Sequence, residues 1–142
     1  MKQSKKTKAI LLVLAGLVCL GAVWYGMYGC QSEVDVSESL KRDYSAGSLC
    51  LKNLSVGKDW NRMLILGPYD DVDRYELEVS RADRNGIKSF SMFDTYCIIV
   101  FLQGNEAVAY APVSRDIFDF APIEGKFYDK DYVFITRLRD YS

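Results

Sequence analysis

Residues 9–29 read AILLVLAGLVCLGAVWYGMYG, 21 positions without a single charge. Nothing else in the chain restricts its structure as strongly. At about 1.5 Å per residue, a helix of that length matches a bilayer hydrocarbon core of about 30 Å. Lys2, Lys5, Lys6 and Lys8 precede it and no acid does. The positive-inside rule therefore predicts a cytoplasmic N-terminus. The C-terminal part is expected outside the cytoplasm, on the periplasmic or cell-surface side, still attached to the membrane.

Two forms of attachment fit. A signal-anchor helix would stay in the bilayer, with Trp24, Tyr25 and Tyr28 as an interfacial aromatic belt near its outer end. A lipoprotein signal would instead be cleaved before a lipid-bearing cysteine. Met27-Tyr28-Gly29-Cys30 resembles a lipobox, with small Gly29 before Cys30, although bulky Tyr28 departs from the usual pattern. The apolar run exceeds the h-region of an ordinary signal peptide, which favours the anchor. Cysteine number favours lipidation. Cys30, Cys50 and Cys97 lie beyond the span, and lipid on Cys30 would leave Cys50 and Cys97 as a natural disulfide pair. Both forms give the same topology.

The exported part holds 14 basic and 19 acidic residues once the four N-terminal lysines are set aside, a net charge of −5. That balance argues against nucleic acid or an anionic surface as partner. Its length suits one domain with a core. The chain has no histidine, which excludes Ser-His and Cys-His nucleophiles and imidazole metal ligands.

Residues 31–39 (QSEVDVSES) read as a polar, acidic tether. Val36, Leu40 and Tyr44 then recur at helical spacing, with Ser37 as cap and Ala46-Gly47 as stop, completing a segment 31–47 ahead of the main domain, 48–142. Residues 48–56 read as a strand whose alternation slips at Leu54. Residues 60–66 are apolar on both faces at their centre, as an interior strand would be, and Gly67-Pro68 ends them.

Residues 70–84 are ambiguous. Val72, Tyr75, Val79 and Ala82 share a helical face, with Asp70, Asp71 and Asp73 at one end and Arg81, Arg84 and Asn85-Gly86 at the other. We assign a helix, although Tyr75, Leu77 and Val79 also alternate as in a strand. Residues 95–102 (TYCIIVFL) should form a central strand, followed by a two-residue Gly104-Asn105 turn of type II′ and a return strand over 107–113. Aromatics crowd 117–122, and 132–138 read as the last strand. The pattern is α+β: an antiparallel sheet of four to five strands with one or two helices on one face, preceded by the membrane-spanning or signal helix.

Trp60-Asn61-Arg62 followed by Leu64-Ile65-Leu66-Gly67-Pro68-Tyr69 resembles a motif of a family of small, uncharacterised bacterial envelope proteins, many regarded as lipoproteins. Similar members carry Trp-Asp-(Lys or Arg), a short apolar run and Gly-Pro-Tyr. Asn61 stands where that pattern has Asp. The resemblance implies an envelope location and no established activity, so it transfers no catalytic residue. Trp60 and Tyr69 are the candidate recognition residues, although burial of the Trp60 ring and strand termination at Pro68 explain the motif without a ligand.

Other chemistry is weaker. Asp70, Asp71 and Asp73 lack the glycine and distal glutamate of a calcium loop. Asp129 and Asp131 flank Lys130, a pair conceivable for glycoside hydrolysis but more ordinary as solvated surface. We expect no cofactor, no metal and no catalytic residue. The expected function is a non-enzymatic, membrane-tethered binding or structural module of the cell envelope, held by its helix or by lipid and docking onto an envelope protein or polymer. The alternatives are a carboxylate-dependent envelope hydrolase, or a proteinaceous inhibitor of one.

Overall fold

A computed structural model of the chain describes residues 5–28, 32–120 and 123–135. The chain divides into two units, Met1–Gln31 and Ser32–Ser142. The first contains helix α1 (Lys5–Tyr28), 24 residues long. Its stretch Lys5–Trp24 is exposed throughout and is long and apolar enough to cross a membrane. An exposed apolar surface of that size is unfavourable in water and suits lipid or a signal-recognition groove.

The second unit is α+β. It comprises α2 (Ser37–Ser45), β1 (Ser48–Cys50), β2 (Arg62–Leu66), α3 (Arg81–Ser91), β3 (Tyr96–Gln103), β4 (Glu106–Ser114), β5 (Phe127–Asp129) and β6 (Val133–Ile135), with 3-10 turns at Leu51–Asn53 and Val72–Tyr75. Four strands form one antiparallel sheet in the order β4-β3-β2-β5, and β1 pairs with β6 as a separate ribbon.

β2 and β3 lie inside the sheet, as their near-continuous apolar runs predict. Alternation then divides their side chains between two cores. Met63, Ile65, Cys97, Ile99 and Phe101 face a cluster with Trp60, Phe120, Leu49, Leu51, Val36 and Leu40. Leu64, Leu66, Ile98, Val100 and Leu102 face the other, with Tyr110, Val72 and Ile87 of α3. Helix α3 and the Val72–Tyr75 turn thus form the expected helical layer on one face. The opposite face is closed by α2, by the β1–β6 ribbon and by the aromatic connection through Phe120.

The β3–β4 hairpin forms as expected. Gln103 pairs with Glu106. Gly104 has φ +63° and Asn105 is not among the positive-φ residues, the pattern of a type II′ turn. The register shifts between Phe101 and Leu102, which pair with Ala109 and Ala107 and leave Val108 as the extra residue of a bulge.

Several elements differ from expectation. The strand over 48–56 is confined to Ser48–Cys50, because Leu51–Asn53 tightens into a 3-10 turn. Its three-residue repeat returns Leu54 to the side of Leu51, which accounts for the slip in the pattern. The helix over 70–84 is not formed as such. Val72–Tyr75 is a 3-10 turn ended by Glu76 at φ 52°, and Glu78 then lies beside the start of β4, exchanging backbone bonds of 2.9 Å with Asn105 and Ala107. The α-helix begins only at Arg81. Ser80 caps it, its Oγ accepting from the Asp83 N–H at 3.2 Å.

Asn85-Gly86 therefore lies inside α3 instead of ending a helix. Gly86 is there for space: a Cβ would sit 2.0 Å from the Tyr110 Oη, and Tyr110 is 1% exposed. β5 was not anticipated, since three residues between Gly125 and a turn carry no readable alternation. β6 pairs with β1 and not with the main sheet; the C-terminal end of the expected strand lies outside the described residues.

The segment over 31–47 is part of the folded unit from Ser32 onward. Val34 donates to the Tyr110 carbonyl at 2.9 Å, Tyr110 donates to that of Ser32 at 3.0 Å, and Val36 and Leu40 are buried. Leu40→Ala should accordingly destabilise the domain by about 2–5 kcal/mol. Denaturant unfolding reads this directly, and an unchanged midpoint would return 31–47 to the status of a loose tether. Gly86→Ala should cost about 1–3 kcal/mol by overpacking. In Tyr110→Phe, which lacks the offending oxygen, the same change should cost less, so that a double-mutant cycle shows coupling.

Candidate functional site

The two candidate recognition residues stand at opposite ends of β2. At its start, Trp60 is 4% exposed. Its ring packs edge-on against Phe101 at 5.0 Å, and the Lys130 Nζ lies 5.0 Å from its centroid. Trp60 is a core residue under a cationic cap.

Asn61 and Arg62 hold the distant β3–β4 turn. Asn61 Oδ1 accepts from the Gly104 N–H at 3.2 Å, and the Arg62 Nε donates to the Gly104 carbonyl at 2.8 Å. The Arg62 guanidinium also lies 4.7 Å from the Phe127 ring centroid. An aspartate at 61 could accept the same Gly104 bond, so asparagine keeps the clamp without the charge.

Around these residues opens a shallow cleft of about 420 Å³ lined by Trp60, Asn61, Arg62, Asp129, Lys130 and Asp131. It does bring Asp129 and Asp131 beside Trp60. Both carboxylates are exposed and two cations share the cleft, so nothing here resembles a desolvated acid–base pair.

At the far end of β2, Gly67-Pro68-Tyr69-Asp70 makes a turn in which the Asp70 N–H reaches the Gly67 carbonyl at 3.2 Å. Tyr69 has φ 62°, a left-handed conformation that costs a non-glycine residue about 1–2 kcal/mol. Its N–H donates to the Ser91 carbonyl at 2.7 Å, yet the residue is 71% exposed. The strain is therefore not offset by burial of the ring. Beside it, just past α3, Met92 and Phe93 are 73% and 57% exposed. Sequence reasoning missed this pair, because two apolar residues between a helix and a core strand read as a buried connection.

Asp70, Asp71 and Asp73 join the Val72–Tyr75 turn to α3. Tyr75 donates to Asp70 at 2.7 Å, and Asp71 caps the turn by accepting from the Asp73 N–H at 3.0 Å. Asp73 pairs with Lys88 and with Arg84, the latter at 3.0 Å. The bond to Lys88 holds the Asp73 carboxyl below its ordinary range and raises the lysine. Burial, with Asp70 adding to it, pushes the Tyr75 hydroxyl up to about 12. These acids are occupied by structural partners. Among the described residues no cluster of three or more potential metal ligands occurs.

Asp83 also escaped sequence reasoning. It is buried in the first turn of α3, and its Oδ1 accepts the Ser32 N–H at 2.7 Å. The Ser80-x-x-Asp83 spacing, close to a capping box, was the available signal.

Cys50 and Cys97 are both free thiols in this structure. β1 and β3 belong to different sheets, so the strand adjacency that a direct bridge requires is not met. Cys97 is fully buried in the core that holds Leu49 and Leu51, while Cys50, between those two leucines, is only partly covered. Burial pushes the Cys97 thiol above its ordinary range. Cys30 lies outside the described residues.

No protein-family model, curated protein or solved structure matches this chain.

The cysteine placement predicts ordered reactivity. In the folded, unreduced chain an alkylating reagent should label Cys50 before Cys97, and after denaturation both should react. Failure of both to react until reductant is added would establish the bridge instead.

Proposed function

We propose that the protein is a membrane-tethered extracytoplasmic module of the bacterial cell envelope that acts by binding, with the Tyr69–Met92–Phe93 surface as its contact site. The observation that carries this reading is that Tyr69 and Met92, both largely exposed, line one surface depression, with exposed Phe93 next in the chain. Isolated exposed apolar residues are ordinary on any surface, whereas neighbouring large ones favour an interaction site. One of them is held in a strained conformation while facing solvent, as expected where display matters more than stability.

The hydrolase alternative would need clustered desolvated carboxylates. The buried carboxylate at Asp83 instead serves a backbone N–H. The resemblance of the Trp60–Tyr69 stretch to small envelope proteins adds to the envelope assignment. We favour the signal-anchor form, because α1 continues unbroken from Lys5 to Tyr28 and its charge-free part from Ala9 is about 30 Å long, the thickness of a hydrocarbon core.

Alkaline phosphatase fused after Ser142 should be active, and a fluorescent protein that matures only in the cytoplasm should stay dark there. The opposite pair of results overturns the topology. The parent chain should keep its precursor mass and take up no fatty-acid analogue; label lost in Cys30→Ser would establish the lipoprotein form. A photo-crosslinking residue at position 92 should give a discrete adduct with an envelope component, and one at Val133 none. No adduct at 92 would remove the binding reading.

A further inference from the structure

Ser32 is fixed to the folded unit by three bonds. Its N–H donates to Asp83 Oδ1 at 2.7 Å, its carbonyl accepts from the Tyr110 N–H at 3.0 Å, and its Oγ accepts from Lys58 Nζ at 3.2 Å. On the membrane-tethered reading above, on which this inference rests, little slack then remains ahead of it. In the signal-anchor form Gly29, Cys30 and Gln31 separate Tyr28 from Ser32, and a lipid on Cys30 would leave Gln31 alone. An extended chain covers at most about 3.6 Å per residue, so Ser32 stands within about 14 Å of the membrane-held residue in the first form and about 7 Å in the second. The headgroup region takes up about 5–7 Å of that reach on each side of a bilayer. The end of the unit that carries Ser32 is thereby confined to the membrane surface.

The chemistry of that end suits headgroups. Its exposed side chains include Glu33, Lys58, Asp59 and, at the start of α3, Arg81. All four are charged, and among the described residues Lys58 and Arg81 enter no ion pair. The Lys58 ammonium has only the Ser32 hydroxyl and the Val108 carbonyl, at 3.1 Å, as its bonded acceptors. Such a face matches the phosphates and ammonium groups of zwitterionic lipid and resists burial among acyl chains.

Helix α3 sets what lies farther out. Asp83, bonded to Ser32, is in its first turn, and its last residue, Ser91, accepts from the Tyr69 N–H at 2.7 Å. From Asp83 to Met92 the helix rises about 13 Å. Exposed Tyr69 and Met92 thus stand at the opposite end of α3 from Ser32.

We propose that the folded unit rests on the lipid headgroup layer through Ser32, Lys58 and the first turn of α3, and so displays the Tyr69–Met92 surface away from the bilayer. The short connection makes this contact effectively intramolecular, so it requires no independent affinity for lipid.

The test uses the full chain in nanodiscs of phosphatidylcholine that contain a small share of headgroup-spin-labelled lipid. A fluorinated phenylalanine analogue, at position 59 in one sample and at 92 in another, reports proximity through paramagnetic broadening of its fluorine signal. Position 59 should broaden strongly and position 92 at least about threefold less, given the length of α3 between the two ends. Inserting about ten glycine and serine residues between Gln31 and Ser32 should cut the broadening at 59 by about fivefold, since it adds about 18 Å of r.m.s. reach. The unfolding midpoint should not change, because every bond of Ser32 is kept. Equal broadening at 59 and 92, broadening at 92 alone, or broadening at 59 that survives the insertion would overturn the proposal. Co-elution of the chain with the nanodiscs reads the attachment separately. Co-elution without broadening at 59 keeps the membrane tether and discards the resting surface, whereas failure to co-elute removes both.

Discussion

Met63–Leu66 and Cys97–Leu102 are entirely inaccessible to solvent, so β2 and β3 must be covered on both faces. That requirement governs the folded unit. An antiparallel sheet with one wet face needs a single layer of cover, but these strands have no polar face to offer. Helix α3 and the Val72–Tyr75 turn supply one layer, while α2, the β1–β6 ribbon and Phe120 supply the other. A small chain has little helix for two layers. Short, irregular pieces complete the second, and this is why the segment before Ser48 and the stretch beyond Gly125 belong to the core.

The same economy extends to the sheet edge. β4 is an outer strand, and its free side would invite pairing with another chain. Glu78 takes the N–H of Ala107, Ser32 and Val34 bond to Tyr110, and Pro112 has no N–H to offer. The edge is thus occupied by the chain's own connections. Tyr110 lies at the centre of this arrangement. Its backbone binds the segment entering the domain, its ring fills the α3-side core, and its hydroxyl excludes any side chain at Gly86. Burial, with Glu33 and Asp83 adding to it, pushes that hydroxyl up to about 12, so the ring stays neutral within its core at any ordinary pH.

Legibility in the sequence followed the range of the controlling interaction. The apolar span, the central strand Tyr96–Gln103 and its Gly104-Asn105 hairpin depend on local pattern and could be read directly. Two-faced burial of β2 was equally visible in Met63-Leu64-Ile65-Leu66. By contrast, Asn85-Gly86 resembles a helix end by composition, and only Tyr110, 24 positions away in sequence, explains a glycine inside α3. Likewise Asn61 and Arg62 look like strand-entry residues until the turn at 104–105 is seen beside them. Of the two candidate recognition residues, Trp60 is absorbed by the core and Tyr69 is displayed. No local rule separates two aromatic residues flanking one strand; the difference lies in what Phe101 and Lys130 cover at one end and what Ser91 leaves open at the other.

The start of the folded unit at Ser32 also bears on how the two forms of attachment differ physically. Cleavage before Cys30 would remove the whole of α1 and none of the residues that pair with Tyr110 or fill the α2-side core. The residues that build the fold are therefore the same whether α1 is kept or removed. What depends on the segment from Ser32 is stability, because the Ser32 N–H on Asp83 and the Val34 bond to Tyr110 fasten the entry point to α3 and β4 together. A pull on the chain ahead of Ser32 would be borne first by those bonds and by Val36 and Leu40. The segment from Ser32 to Leu40 is thus the outermost part of the folded unit, and any force or proteolysis acting there acts on the fold itself.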